Sequence, residues 1–272
     1  MGAVVTYRLV ISNISGGEGK STLAREFAYA LHTRGYRVAL LDTDPQASLT
    51  KSLGLHDSPG GPGFDPQRSV LPVFESGESP RLGPPLTVGG VDVWVSNDHL
   101  YRADNEIAAD LSKQGNLREA LDALSGYDFI LLDTKPGITP LLNAAVAAAD
   151  HILVPVSGDK GLENLDKLSR LTRAARSFAP QIAVRLFIPN RYKASTVLSR
   201  AVLEDLRAYQ SVAPISRPIR DSVVVGEAAR LRQPLVTYQP RADVTADVLG
   251  VVDDLLAVLG APIRAVGAGK PL

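Results

Sequence analysis

Residues 7–31 read YRLVISNISGGEGKSTLAREFAYAL. An apolar run rich in β-branched residues enters a glycine-rich turn, and the turn opens a segment with helical spacing. Strand, glycine turn, helix is the context that a phosphate-binding loop requires. Gly16, Gly17 and Gly19 let the backbone curl so that its amides point inward, and the helix starting near Lys20 adds the positive end of its dipole. Lys20 is then placed to reach the β and γ phosphates of a nucleotide, and the Ser21 hydroxyl to ligate magnesium. Ser15, Glu18 and Thr22 complete the stretch expected to line the nucleotide. Two positions depart from common patterns, which have glycine where this chain has Ile14 and, in the best-known variant of the loop, lysine where it has Ser15. Glu18 is a further oddity, an acid where small or apolar residues are usual, and its side chain is expected to point out of the cradle.

The rest of the chain supports an α/β reading. YRLVIS, RVALLD, VDVWVS, YDFILLD, HILVPV and VRLFIPN are short, apolar on both faces and bounded by turn or charged residues, as buried parallel strands are. Helical spacing fills Ser21 to Thr33, Leu117 to Leu124, Leu141 to Ala148, Leu162 to Phe178 and Ser195 to Tyr209, with Gly35 and Gly126 as helix stops. Alternating strand and helix predict a mostly parallel twisted sheet covered on both faces, one P-loop NTPase domain over residues 1–260. His56 to Gly90 holds 7 Pro and 7 Gly in 35 residues and reads as a long surface insertion with one edge strand. The tail, residues 261–272, is expected to be flexible.

Composition bounds the chemistry. The 272 residues are 45% hydrophobic and 21% charged, as in folded globular chains. The absence of cysteine excludes disulfides, thiolate nucleophiles, iron-sulfur clusters and cysteine zinc sites. No apolar leader or membrane-length run is present, so a cytoplasmic protein is expected. Basic and acidic residues balance at 29 each, but Arg185 to Arg232 holds 9 basic against 4 acidic residues, whereas Met1 to Val184 holds 17 against 21. Such asymmetry suits a polyanion-binding face.

Three aspartates fall at strand ends, where open parallel sheets keep their ligands. Asp42 and Asp44 close the second apolar run in LLDTDPQASLT, two residues apart and so on one side of an extended segment. Asp133 ends YDFILLDTKPG after four apolar residues, the placement of a magnesium-side carboxylate in phosphoryl-transfer sites.

In order, GGEGKST, LLDTDPQASLT, YDFILLDTKPG, ADHILVPV, IPNRYKASTVLSRAVLEDLR and PIRDSVVVGEAARLRQPLVTYQP closely resemble the motifs of ParA-type partition ATPases of the MinD/ParA group, over about Tyr7 to Leu259. The resemblance implies an ATPase using ATP and Mg2+, with ATP sandwiched in a homodimer. It implies that Asp44 orients the attacking water, that Asp42 and Asp133 lie near the metal, that Asn190 reads the adenine edge, and that Pro218 and Ile219 pack near the base. It further implies that the ATP-bound dimer binds double-stranded DNA without sequence preference, so that it is nucleoid-associated, and that a ParB-like or McdB-like activator stimulates hydrolysis while a plasmid, chromosome region or other large cargo is positioned. Arg191, Lys193, Arg200, Arg217, Arg220, Arg230 and Arg232 are the candidate phosphate contacts, Arg230 and Arg217 foremost.

Within that family Ile14 belongs to a deviant loop, but Ser15 stands where a signature lysine reaches the partner's phosphates. Lys135, in a position where proline is usual, and Lys160, in a loop that lies at the family's dimer interface, are the cations available to replace it, and Lys160 is favoured. Serine in the loop with a downstream lysine resembles the McdA branch, which positions carboxysomes. Two other readings stay open. One is a nucleotide-binding regulator with little hydrolysis. The other is a MinD-like membrane-associated ATPase, which the acidic Asp243 to Leu259 segment opposes.

Overall fold

The computed structural model describes residues 5–56, 60–75, 79–262 and 264. All six apolar runs are strands: β1 (Tyr7–Ile11), β2 (Val38–Asp42), β4 (Val91–Trp94), β5 (Phe129–Asp133), β6 (His151–Val156) and β7 (Ala183–Pro189). A short edge strand, β3 (Leu86–Val88), joins them. The seven-stranded sheet has the order β3-β4-β2-β5-β1-β6-β7 and is parallel except where β3 runs antiparallel to β4.

The helices are α1 (Lys20–Thr33), α2 (Ser48–Ser52), α3 (Leu71–Glu75), α4 (Tyr101–Ala109), α5 (Asn116–Asp122), α6 (Pro140–Ala148), α7 (Asp159–Glu163), α8 (Leu165–Ala175), α9 (Val197–Arg207), α10 (Val223–Arg230), α11 (Leu235–Tyr238) and α12 (Asp243–Leu259). They divide over the two faces because strand side chains alternate. Leu9, Ile11, Leu40 and Leu131 meet Phe27 of α1 and Leu255 of α12 on one face. Val10, Leu41, Ile130 and Leu132 meet α3 to α6, α8 and α9 on the other. Burial on both faces explains why these strands are continuously apolar rather than alternating.

Two expectations need correction. The proline-rich interval is not merely a surface insertion: Val70, Leu71, Val73 and Phe74 are fully buried, and α3 covers the sheet face beside α4 and α5. Pro72 is tolerated because it lies in the first turn of α3, where its missing amide has no helical partner to lose. Trp94 Nε1 donates to the Gly83 carbonyl at 2.8 Å, tying the return path to β4. Residues 57–59 and 76–78 lie outside the described residues. The predicted helix from Leu162 to Phe178 is instead two helices, broken at Asn164, whose side chain turns back to donate to Ser15 Oγ and to the Lys160 carbonyl.

The tail begins held, since the Arg264 guanidinium lies 4.3 Å from the Tyr36 ring centroid and 3.1 Å from Asp128. Residues 263 and 265–272 lie outside the described residues. If α3 is core, Phe74→Ala should cost about 3–5 kcal/mol in urea unfolding. A surface insertion would lose no more than about 0.5 kcal/mol.

Candidate nucleotide site

The glycine loop joins β1 to α1 at the carboxyl edge of the sheet. Gly17 and Gly19 have φ of 86° and 87°, a left-handed conformation that side chains rarely adopt. Gly19 has a second constraint, because a Cβ there would sit 2.3 Å from Asn190 Nδ2. No side chain caps α1 at Gly19, so the first-turn amides face an anion without an internal competitor.

Two cavities meet at this loop. One, of about 420 Å3, is lined by the loop glycines, Lys20, Ser21 and Asp44. The other, of about 370 Å3, is lined by Asn190, Ile219, Leu235 and Val248 among others. Gly19, Thr22 and Arg191 line both. A polar, amide-rich end therefore continues into a more apolar one, the division of a nucleotide into phosphates and base. Pro218 is half-buried and outside either lining.

Lys20 is buried and folded back, donating to the Asn13 carbonyl at 2.9 Å and the Ser15 carbonyl at 2.7 Å. Burial lowers its pKa, and the charges of Asp133, Glu18 and Asp44 oppose that shift. The ammonium is thus stored on loop carbonyls beside an acidic cluster.

The three aspartates converge as expected, but they are held differently. Parallel pairing puts Asp42 in register with Asp133. Asp42 Oδ2 accepts from Thr50 N at 2.9 Å and Thr50 Oγ1 at 2.7 Å, while Oδ1 accepts from Asp44 N at 3.1 Å. Asp133 is equally buried, yet neither carboxylate oxygen has a hydrogen-bond partner. Burial raises the Asp42 pKa to about 6 despite those donors. Burial and then the Asp42 charge push Asp133 well up, against the pull of the Ser21 hydroxyl and Lys20. Asp44 Oδ1 accepts from Gln46 N at 2.9 Å.

A bare buried carboxylate beside a hydroxyl and an amide-lined cavity fits a magnesium ion, which takes few protein ligands and completes its shell with water and phosphate. Among the described residues no group of three or more His, Cys, Asp or Glu is arranged to hold a metal unaided. Ser21 and Asp133 are the open donors. Asp42 already accepts three hydrogen bonds from Asp44 and Thr50 and is the less open of the two carboxylates.

Two of the odd loop positions have structural partners in the same chain. Glu18 turns out of the cradle, but into its own chain. It is 4% exposed, and its Oε2 accepts from Ser157 N at 2.6 Å and Ser157 Oγ at 2.8 Å. Ser15 Oγ donates to the Lys160 carbonyl at 2.6 Å and accepts from Asn164 Nδ2 at 2.8 Å. Asn13 Nδ2 donates to the Pro155 carbonyl at 2.9 Å, and Asn190 Nδ2 to the Glu18 carbonyl at 2.8 Å. Asn13, Thr50, Ser157 and Asn164 escaped sequence reading because nothing in their spacing ties them to the loop.

The cations also separate. Lys135 is committed within the chain, 2.6 Å from Asp104 and 5.6 Å from the Tyr101 ring centroid. Lys160 is exposed and makes no ion pair among the described residues. Arg191 borders both nucleotide cavities, with φ of 51° at a non-glycine residue. Arg217 is bidentate to Asp254 at 3.0 and 2.7 Å, Arg220 pairs with Asp247 and Asp243, and Lys193 lies 3.0 Å from Asp221. Arg200 donates to the Ala194 carbonyl at 2.7 Å. Arg230 ends α10, exposed, and Arg232 follows with φ of 59°. The basic excess counted along Arg185 to Arg232 is therefore partly neutralised by the acidic α12.

The AAA domain family AAA_31 matches residues 7–184. The chromosome partitioning protein ParA of Caulobacter vibrioides is 30% identical over 237 residues, 85% of this chain and 86% of that one. The chain belongs to the ParA family of partition ATPases. A probable plasmid-partitioning protein ParA of Thermus thermophilus is 32% identical over 215 residues, which are 75% of this chain and 64% of that protein. The fold of this ParA-family chain is shared with the ATP complex of a Cyanothece McdA variant, at a TM-score of 0.80 and 21% identity over 94% of this chain and 97% of that one.

The carboxylate pair makes a pH prediction for this ParA-family chain without metal. The folded pKa of Asp42 lies near 6 against an ordinary 3.8, so the native state holds the extra proton between those values. Stability then falls as pH rises through that window, and Asp133, pushed well above its ordinary value by burial and by Asp42, adds to the decline. Thermal melts from pH 4 to 8 should show that decline, and Asp133→Asn should flatten it and raise Tm at pH 8.

Proposed function

We propose that the chain is an ATP-dependent dimerising switch that binds DNA non-specifically in its ATP state and positions a plasmid, chromosome region or other large cargo. The observation that carries the nucleotide chemistry is Asp133, bare and buried beside the uncapped start of α1. In this reading the loop amides bind the phosphates, and Lys20 leaves the Asn13 and Ser15 carbonyls for the β and γ oxygens. Ser21 and Asp133 would hold magnesium, which neutralises phosphate charge when bound.

Asp44, with Oδ1 fixed by Gln46, keeps Oδ2 to accept from the attacking water. Asn190 spends one amide hydrogen on the Glu18 carbonyl and keeps Oδ1 to accept from the adenine amino group, in the cavity that Ile219 also lines. Arg191 supplies a second cation from the same subunit.

Lys160 is the cation we assign to the partner's phosphates. Its ammonium is uncommitted whereas that of Lys135 is not, and its backbone is held by the serine that replaces the signature lysine. DNA contact falls first to Arg230, because a DNA phosphate would have to displace Asp254 to engage Arg217. Charge so placed gives weak, salt-sensitive binding. A ParB-like or McdB-like partner would then stimulate hydrolysis. No helix of the described residues is long and apolar enough to cross a membrane.

The test is ATP turnover together with retention on duplex DNA in ATP and in ADP. Retention only with ATP, lost in Lys20→Ala, is expected; retention indifferent to nucleotide overturns the switch. Lys160→Ala should lower turnover and ATP-dependent dimerisation at least tenfold while leaving monomer ATP affinity within about twofold, as expected for a lost transition-state contact of roughly 1.4 kcal/mol or more. Loss of turnover in Lys135→Ala with Lys160→Ala unaffected would reverse the assignment.

A further inference from the structure

Away from the nucleotide cavities, a groove of about 410 Å3 runs between α8 and β7. Its floor is apolar, built from Leu168, Phe187, Tyr209 and Val212, and Val212 is left 60% exposed. Arg173 and Arg176 stand on its rim. Three features coincide there.

First, the basic charge is not spent. Arg170 and Arg176 make no ion pair among the described residues, and Arg173 donates only to Ser169 Oγ at 3.3 Å. This contrasts with Arg217 and Arg220, which the carboxylates of α12 neutralise. Second, the sheet edge is open. Phe187 exchanges backbone hydrogen bonds with Pro214 and Ser216 at 3.0 and 2.9 Å, but among the described residues no strand pairs with the outer side of β7 before it. Third, apolar surface is left accessible near that edge, since Val212 is exposed and Val184 and Tyr209 are only half-buried above the buried Leu168 and Phe187.

We infer that the groove docks an acidic, amphipathic segment of a partner protein in extended form. An added strand satisfies the open edge, its alternate side chains fill the floor, and its carboxylates meet the guanidinium rim in charge-assisted bonds. Asp166 lines the groove at the Leu165 end and repels acid there, so the acidic positions belong near Arg173 and Arg176. Duplex DNA would use the arginines but offers neither apolar side chains for the floor nor a backbone to pair with β7. The groove shares no lining residue with the nucleotide cavities, so the inference stands apart from the ATP reading.

A phage-displayed library of random 12-residue peptides, selected on the full chain, tests it. Enriched peptides should combine Asp or Glu with Leu, Phe or Val. As labelled peptides they should lose at least tenfold in affinity on Arg173→Glu/Arg176→Glu and on Val212→Asp. Both variants change exposed side chains, and unaltered thermal melts identify them as folded. No enrichment, enrichment without acids, or affinity indifferent to both variants overturns the proposal. So does a result in which the arginine reversal removes binding of a 24-base-pair duplex while no peptide is selected, since the rim would then be a DNA surface.

Discussion

Parallel pairing of β2 with β5 buries two carboxylates side by side, and the site is arranged around that demand. Asp42 and Asp133 are in register and both fully buried. Burying charge without compensation is among the most costly things a fold can do. The chain resolves half of the problem internally, by wrapping the turn from Asp44 to Thr50 over Asp42 so that three donors meet it. Asp133 receives none. A carboxylate left bare next to a hydroxyl, an ammonium and uncapped amides suits a cation, and a sheet packed on both faces holds it there. Under the proposed function, stability is given up locally for a geometry that a cation and a phosphate together would complete.

The same economy governs the phosphate loop. A loop of glycines has no side chains with which to fix itself, so the residues around them do it. Asn13 reaches to β6, Ser15 and Glu18 reach to the segment after it, and Asn190 reaches back from the end of β7. The bracket is tight enough that a Cβ at Gly161 would lie 2.9 Å from a Glu18 oxygen. An acid in an anion-binding loop is tolerable because its charge is turned into these donors instead of into the cavity. Ser15, for its part, fastens the phosphate loop to the start of the α7–α8 segment and thereby sets where Lys160 begins.

How much of this was legible follows from the range of each interaction. The six strands, the sheet class and the convergence of Asp42, Asp44 and Asp133 depend on local pattern and on strand ends, and all can be read along the chain. Glu18 and Ser15 could be seen as anomalies but not interpreted, since their partners at Ser157, Lys160 and Asn164 lie about 140 or more residues away. The break at Asn164 is invisible to periodicity, because the apolar spacing continues across it while one amide side chain diverts the backbone. Proline and glycine counts hid α3, whose few buried residues contribute to the core out of proportion to their number.

Charge was the least legible quantity, for a definable reason. A count along Arg185 to Arg232 treats neighbours in sequence as neighbours in space. The fold instead lays α12 beside Arg217 and Arg220, so aspartates 23 to 37 residues downstream cancel the two of them. In and just after α8 the opposite holds, since Arg170, Arg173 and Arg176 sit within Met1 to Val184, whose total is acidic, yet meet no carboxylate among the described residues. Coulomb energy falls with distance in space and is screened within about 10 Å at ordinary ionic strength. What a partner feels is thus the residue left unpaired at its own contact, and among the described residues the exposed cations that meet no carboxylate include Lys160 after β6, Arg191 by the nucleotide cavities, Arg230, and the arginines along α8.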